Sequence, residues 1–302
     1  MDIIFMGTPT YAQKILLKLL NTQGMNVVAV YTQPDKPVGR KRILTPSPVK
    51  ELALEHNISV LQPQRLRDED VVEKLLQIKC DYIVVAAYGQ ILPKAILDYA
   101  PCINLHASIL PKYRGASPIQ QVLLDGESKT GVTAMLMDVG LDTGDILKIV
   151  ETPIDEDEMV ESLFHKLTEV AATLTIDVLE NFHSLTPQKQ DESLASYCSK
   201  ITKEDGKICF DDAQSIYNKY RAFTPWPGIY LESGLKLKKI ALEEKEGKYE
   251  AGKILQIDKD GVIVGCQKGS LKIFRIQAPS KKEVDIFSYL NGKRLGLEDY
   301  IS

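Results

Sequence analysis

Apolar residues in the first half of the chain alternate between two rhythms. Residues 3–6, 27–31, 82–86, 102–106, 133–137 and 146–150 are short runs rich in aliphatic and β-branched side chains, which predicts strands. Between them Ala12, Ile15, Leu16, Leu19 and Leu20 recur at helical spacing. Ser47-Pro48 supplies a cap and a first-turn proline for a second helix, and Asp68 stands where it can cap a third. The longest helical pattern, 159–181, puts Val160, Leu163, Phe164, Leu167, Val170, Leu174 and Val178 on one side, with His165 outside that stripe and solvated. Such alternation predicts an α/β fold with a doubly wound, mostly parallel, Rossmann-like sheet.

After residue 203 the texture changes. Segments 207–210, 229–232, 235–242, 253–257, 261–266 and 271–277 read as short strands broken by glycine, with short helices near 213–222 and 285–290. That many strands in so short a length predicts a small, partly open, OB-like β-barrel. The intervening Thr186-Pro187-Gln-Lys-Gln-Asp-Glu-Ser is polar and aperiodic and reads as a linker. The expected organisation is therefore a domain over 1–186, a linker over 187–202 and a second domain over 203–302.

Composition changes this picture only in detail. With 44% hydrophobic and 26% charged residues the chain is an ordinary globular protein. No apolar run approaches the roughly 20 residues that span a bilayer, and no signal-like stretch precedes the first strand, so the expectation is a cytoplasmic protein without membrane contact. Five scattered cysteines are expected to be reduced thiols, and four histidines without ligand spacing predict no metal. A net charge of −4 argues against a general nucleic-acid binder, yet it is unevenly spread. Residues 1–202 hold 19 Lys/Arg against 26 Asp/Glu (net −7), and residues 203–302 hold 18 against 15 (net +3). A mildly basic second module suits a polyanionic partner. The absence of an obvious exposed apolar stripe points to a monomer.

The chemistry concentrates in Asn104-Leu-His-Ala-Ser-Ile-Leu-Pro-Lys-Tyr-Arg-Gly115. Side chains alternate along a strand, so Ile103 and Leu105 enter the core while Asn104 and His106 project together from the other face. An amide donor beside an imidazole suits a developing oxyanion and a moving proton. The pair lies at the carboxyl end of its strand, where open parallel sheets bind ligands. Downstream, Asp142 lies in the glycine-rich turn Asp138-Val-Gly-Leu-Asp-Thr-Gly144. Alone it reads as a turn aspartate bonding its own backbone; a calcium loop fits less well, because Gly140 stands where a second ligand belongs. Paired with Asn104 and His106 it reads as catalytic. The turn Phe5-Met-Gly7-Thr-Pro9 lacks the further glycines of a dinucleotide fingerprint and no Walker motif occurs, so no nicotinamide or nucleotide cofactor is expected.

Together these two segments resemble the signature of the folate-dependent formyltransferases. The resemblance implies transfer of a formyl group from the co-substrate 10-formyltetrahydrofolate to an amine, by an Asn/His/Asp trio that maps onto Asn104, His106 and Asp142. It also implies that Ser108, Ile109, Leu110 and Pro111 line the folate site, with residues 88–93 as a second wall. The stretch from Thr32 to Ser47 reads as a long loop without regular structure, a mobile positive arm in which Lys36, Arg40, Lys41 and Arg42 face only Asp35. It is similar to the loop by which tRNA-directed members of the family enter an acceptor stem, with Arg40 matching the key arginine. Tyr220-Arg-Ala-Phe-Thr-Pro-Trp-Pro-Gly228 matches the start of their tRNA-holding second domain, and Trp226 within it is expected to pack at the domain junction. The acceptor so implied is the amino group of methionyl initiator tRNA. An amino-sugar nucleotide or water as acceptor, or a non-catalytic tRNA-binding protein, are the competing readings; the basic loop and barrel disfavour the first two, and the intact trio disfavours the last.

Overall fold

The computed structural model describes residues 1–39 and 41–301. They separate into two units. The first comprises Met1–Pro118, Lys129–Ile154 and Leu163–Cys198; the second comprises Ile119–Ser128, Asp155–Ser162 and the chain from Ser199 onward.

In the first unit the strands are β1 (Asp2–Gly7), β2 (Asn26–Tyr31), β3 (Lys36–Val38), β4 (Ile43–Thr45), β5 (Val60–Leu61), β6 (Tyr82–Ala86), β7 (Cys102–His106), β8 (Arg114–Gly115), β9 (Lys129–Leu136), β10 (Ile146–Pro153) and β11 (Tyr197–Cys198). Seven of them form one sheet in the order β10-β9-β7-β6-β1-β2-β5. The five strands from β7 to β5 run parallel, and β9 and β10 add an antiparallel edge. Ile3, Ile4, Phe5 and Met6 are wholly buried, as expected of a central strand covered on both faces. Gly7 ends β1 where a Cβ would lie 2.5 Å from that of Ala12, so the following helix, Thr10–Leu20, can sit close against the strand. That helix also sends Tyr11 across to β7: its buried hydroxyl donates to the Leu105 carbonyl at 3.2 Å, one residue before the strand ends. Ser47 caps the helix Pro48–Glu55 as expected, accepting from the Lys50 amide. Asp68 does precede the helix Glu69–Leu76, but its carboxylate makes no capping hydrogen bond.

Two segments depart from expectation. The stretch read as structureless contains a hairpin in which β3 and β4 pair antiparallel, Lys36 opposite Thr45 and Val38 opposite Ile43. Beside its basic residues the hairpin leaves three large apolar side chains exposed, Val38, Ile43 and Leu44. Its base is held by Asp35, which accepts from Lys50 at 2.7 Å and from the Gln62 amide at 2.7 Å. Those hydrogen bonds, Gln62's first and then Lys50's, hold the Asp35 carboxyl below the ordinary carboxylate range. The second departure is the polar stretch read as a linker. As far as Cys198 it is fastened to the first unit: Ile146 and Gln188 exchange backbone hydrogen bonds, and β11 pairs in parallel with β8.

The second unit is built on β12 (Ile229–Tyr230), β13 (Lys236–Glu244), β14 (Ile254–Ile257), β15 (Val262–Gly265), β16 (Ser270–Gln277) and β17 (Val284–Asp285). They form one antiparallel sheet in the order β12-β13-β16-β15-β14, with β17 beside β16. Leu237, Ile240, Leu271, Ile273 and Ile276 supply its buried face. The strand expected over 207–210 reduces to a single bridge between Lys207 and Tyr230. Two helices, Ala213–Phe223 and Ile286–Lys293, are capped by Asp212 and Asp285. Asn218 and Arg221 on the first of these bond the Leu124 and Glu158 carbonyls at 3.2 and 3.5 Å, which ties two sequence-distant segments into this unit. Trp226 is 61% exposed, so it is not the packing residue its proline neighbours suggested.

Candidate active site

The site grows from the end of β7. Both faces of this strand are covered, and Asn104 and His106 are 9% and 7% exposed. Among the described residues no hydrogen bond is made by the Asn104 side-chain amide, so its donors are available. His106 is fixed at one ring nitrogen: Nε2 lies 2.8 Å from the Tyr113 carbonyl. A carbonyl oxygen can only accept, so Nε2 carries a hydrogen. In the neutral ring Nδ1 then keeps its lone pair, and this nitrogen faces Oδ2 of Asp142 at 3.7 Å.

Asp142 reaches that position from the loop between β9 and β10. Its backbone is in the left-handed region (φ 55°), which an aspartate tolerates better than most residues. Gly144 is required beside it, because a Cβ there would stand 1.7 Å from the Leu136 carbonyl oxygen. The loop's turn aspartate is Asp138, whose Oδ1 accepts from the Gly140 amide at 2.9 Å and the Thr143 hydroxyl at 2.6 Å. The aspartate that closes this turn is therefore Asp138 and not Asp142. The Asp142 carboxylate instead accepts from the amide of Gly115 at 2.8 Å, 27 residues away. Gly115 itself sits at φ 114°, and a Cβ on it would meet the Cys198 carbonyl oxygen at 2.3 Å.

A cluster behind the loop completes the frame. The side chain of Arg114 is fully buried. It donates to both carboxylate oxygens of Glu192, at 2.8 and 2.9 Å, to the Gln190 carbonyl oxygen at 2.8 and 3.1 Å, and to the Tyr197 hydroxyl at 3.2 Å. The Glu192 carboxylate raises the Arg114 pKa further and is itself lowered by it, so the pair stays charged. Gln190 uses its other end on the loop that carries Asp142, donating to the carbonyls of Asp142 and Gly144 at 2.8 Å each. Ser196 accepts from the Tyr113 amide at 2.9 Å, the residue whose carbonyl holds His106.

An amide donor, an imidazole with one free nitrogen and a carboxylate facing it form a proton-handling set suited to acyl or formyl transfer. Sequence comparison identifies the scaffold. The formyl transferase pattern matches residues 1–179, and the formyl transferase C-terminal domain pattern matches residues 200–294. The chain belongs to the formyl transferase family. Among its relatives, a methionyl-tRNA formyltransferase of Sulfurimonas denitrificans is 67% identical over 302 residues, covering 100% of both chains. One of Nitratiruptor is 56% identical over 99% of each. Among solved structures, an N-formyltransferase of Helicobacter canadensis in complex with folinic acid and dTDP-3-aminofucose superposes with a TM-score of 0.68 at 18% identity, covering 90% of this chain and 98% of that one. HypX of Aquifex aeolicus in complex with tetrahydrofolic acid superposes at 0.60 and 19% identity, covering 99% of this chain and 48% of that one. At such identities the two structures speak for a formyl transferase fold.

The remaining expected residues of this formyl transferase are placed as follows. Ser108 is buried and its hydroxyl donates to the Lys112 carbonyl at 2.7 Å; Thr133 bonds the Ser108 carbonyl and the Leu110 amide at 2.7 and 3.1 Å. Ser108 and Leu110 therefore face inward, and Ile109 and Pro111, half-buried, are what this segment offers to a ligand. In the second wall Tyr88 and Leu92 are buried while Ile91 is exposed. Lys36, Lys41 and Arg42 are exposed on the hairpin and form no ion pair among the described residues; Arg40 lies outside the described residues. Sequence reasoning missed Gln190, Glu192, Ser196 and the framing role of Arg114. One signal was available for the last: an arginine inside a buried segment requires a carboxylate partner from somewhere.

Proposed function

We propose that this chain transfers the formyl group of 10-formyltetrahydrofolate to the amino group of methionyl initiator tRNA. The observation that carries the reading is a relative bearing the methionyl-tRNA formyltransferase name at 67% identity along the entire length of both chains. In this reading the chain works as a monomer in the cytoplasm, and residues 203–302, with the basic residues Lys36, Arg40, Lys41 and Arg42, hold the tRNA.

The neutral amine attacks the formyl carbon, forming a C–N bond while the carbonyl oxygen gains negative charge. Asn104 donates its side-chain hydrogen to that oxygen. Nδ1 of His106 takes the proton the attacking nitrogen sheds, and the resulting imidazolium is stabilised on one side by the Asp142 carboxylate and on the other by the Tyr113 carbonyl. Collapse of the tetrahedral intermediate breaks the bond to N10 of the folate, which leaves with the proton His106 returns. The products are formylmethionyl-tRNA and tetrahydrofolate, and no electron changes hands. An α-amino group titrates near about 8, so the nucleophile needs little activation at neutral pH. Ile109, Pro111 and the backbone of 108–111 line the folate side.

Rapid formylation of methionyl initiator tRNA, lost in His106→Ala while tRNA affinity stays near wild type, is the expected result. Folate turnover without formyl-tRNA would move the acceptor to another amine or to water. No turnover with any acceptor would overturn the reading.

A further inference from the structure

The segment 188–198 bonds the backbone on both flanks of the pair His106 and Asp142: Tyr113 and Gly115 on one, Asp142 and Gly144 on the other. Gln190 is the centre of this arrangement. Its amide nitrogen has two hydrogens and both are used, on the carbonyls of Asp142 and Gly144 at 2.8 Å. Its amide oxygen has two lone pairs and both face the Arg114 guanidinium, at 2.8 and 3.1 Å. Two acceptors on one side and a donor-only group on the other leave one orientation for this amide and one residue type of this length that satisfies all four bonds. A glutamate would set oxygen against two carbonyl oxygens, and an asparagine falls a methylene short.

Asp138 closes the turn from within, through the Gly140 amide and the Thr143 hydroxyl, and Gln190 adds a clamp on the carbonyls of Asp142 and Gly144. Asp142 is in the left-handed region, a conformation that persists at a non-glycine residue when the surroundings over-determine it. Arg114 in turn is anchored by Glu192, and the next residue, Gly115, supplies the amide that aims the Asp142 carboxylate. Six residues on from Gln190, Ser196 steadies Tyr113 and through it the Nε2 side of His106. The segment thus bonds the backbone that carries the carboxylate and the backbone that holds the imidazole.

We propose that Gln190 is a positioning residue for formyl transfer: with Arg114 and Glu192 it sets the separation of Asp142 from His106 Nδ1. The proposal rests on the formyl-transfer reading above. Its failure is separable from that reading's failure, because wild-type transfer to methionyl-tRNA tests the reading, whereas the ratio of variant to wild type, with whatever acceptor the wild type uses, tests Gln190.

The test is single-turnover transfer by Gln190→Met, which keeps the side-chain length and removes all four hydrogen bonds, measured alone and combined with Asp142→Asn. A misplacement near 1 Å in a catalytic constellation costs about 10²-fold, so kcat should fall by that order while KM for both substrates stays within about twofold. In the Asp142→Asn background the same change should cost little more, because Gln190 acts through Asp142. A folded Gln190→Met enzyme with kcat within about twofold of wild type, or a loss of equal factor in both backgrounds, overturns the proposal. If Gln190→Met does not fold, Glu192→Gln decides in the same way. Glutamine keeps the side-chain length and one acceptor oxygen for Arg114, and with the thermal midpoint recorded to show the variant is folded, a several-fold fall in kcat that vanishes in the Asp142→Asn background is the supporting result. An unchanged kcat in Glu192→Gln overturns it.

Discussion

Replacing Asp142 by asparagine removes one negative charge and little else. The new side chain has the same shape, and turning its oxygen toward Gly115 keeps the 2.8 Å hydrogen bond that now aims the carboxylate. What disappears is the attraction between a carboxylate and the imidazolium formed when Nδ1 of His106 accepts a proton, at a separation of 3.7 Å. Two unit charges at that distance attract by about 1 kcal/mol at the permittivity of water and about 4.5 kcal/mol at an effective value of about 20. The side chains are only 7% and 14% exposed, which places the pair nearer the second figure. The asparagine dipole restores part of it, so a loss of about 2–4 kcal/mol in transition-state stabilisation is expected, or about 30- to 1,000-fold in kcat. The assay is rapid-quench formylation of methionyl initiator tRNA under saturating 10-formyltetrahydrofolate, with thermal midpoints recorded beside it. A loss below about threefold amounts to less than the water-screened attraction, and it would refute the idea that the carboxylate charge acts on His106.

Asn104→Ala removes the amide donor offered to the oxyanion; kcat should fall about 10²–10³-fold with the thermal midpoint nearly unchanged, checked by the same assay. Gly115→Ala drives a Cβ to 2.3 Å from the Cys198 carbonyl at a φ of 114°, so β8 and β11 should part, and hydrogen exchange at Ala116, which donates to that same carbonyl, should quicken along with a loss of activity. The Glu192 carboxyl is held below its ordinary range by the hydrogen bond from Arg114, so its contribution to stability is fully present above the ordinary carboxylate pKa of about 4.3 and is lost as pH falls through the lower folded value. The difference in thermal midpoint between wild type and Glu192→Gln should therefore be constant from neutral to mildly acidic pH and shrink only in strong acid. Neutralising Lys36, Lys41 and Arg42 together should weaken tRNA binding and flatten its dependence on salt, readable by filter binding across ionic strengths.

The parts of the molecule legible in the sequence are those written in periodic patterns. The alternation of Ile103 and Leu105 with Asn104 and His106 is enough to place β7 and its polar pair, and glycine around Asp142 is enough to place a turn. The hairpin was hidden because three-residue strands are too short to show a period and because its apolar positions point outward, where a core-seeking rule does not look. The support around Arg114 was hidden for a different reason. Gln190 and Glu192 act by hydrogen bonds to a residue 76 and 78 positions away, and polar residues that meet a single buried ion need no repeat. A run of glutamine, lysine and aspartate then looks like any solvated tether.

The pairing of β8 with β11 also sets a timetable. A nascent chain is made amino end first, and every strand of the seven-stranded sheet, through β10, has been made by Pro153. At that moment Asn104, His106 and Asp142 have all been made, yet Arg114 has no counter-ion, the Asp142 loop lacks its clamp, and Gly115 has no neighbouring strand. These arrive some 40 residues later, with Gln190 through Cys198, which bond the Asp142 loop and Arg114 and pair with β8. The proposed catalytic set is thus made before its supports, and a fragment ending at Thr186 would hold Asn104, His106 and Asp142 without the bonds that Gln190 and Ser196 supply.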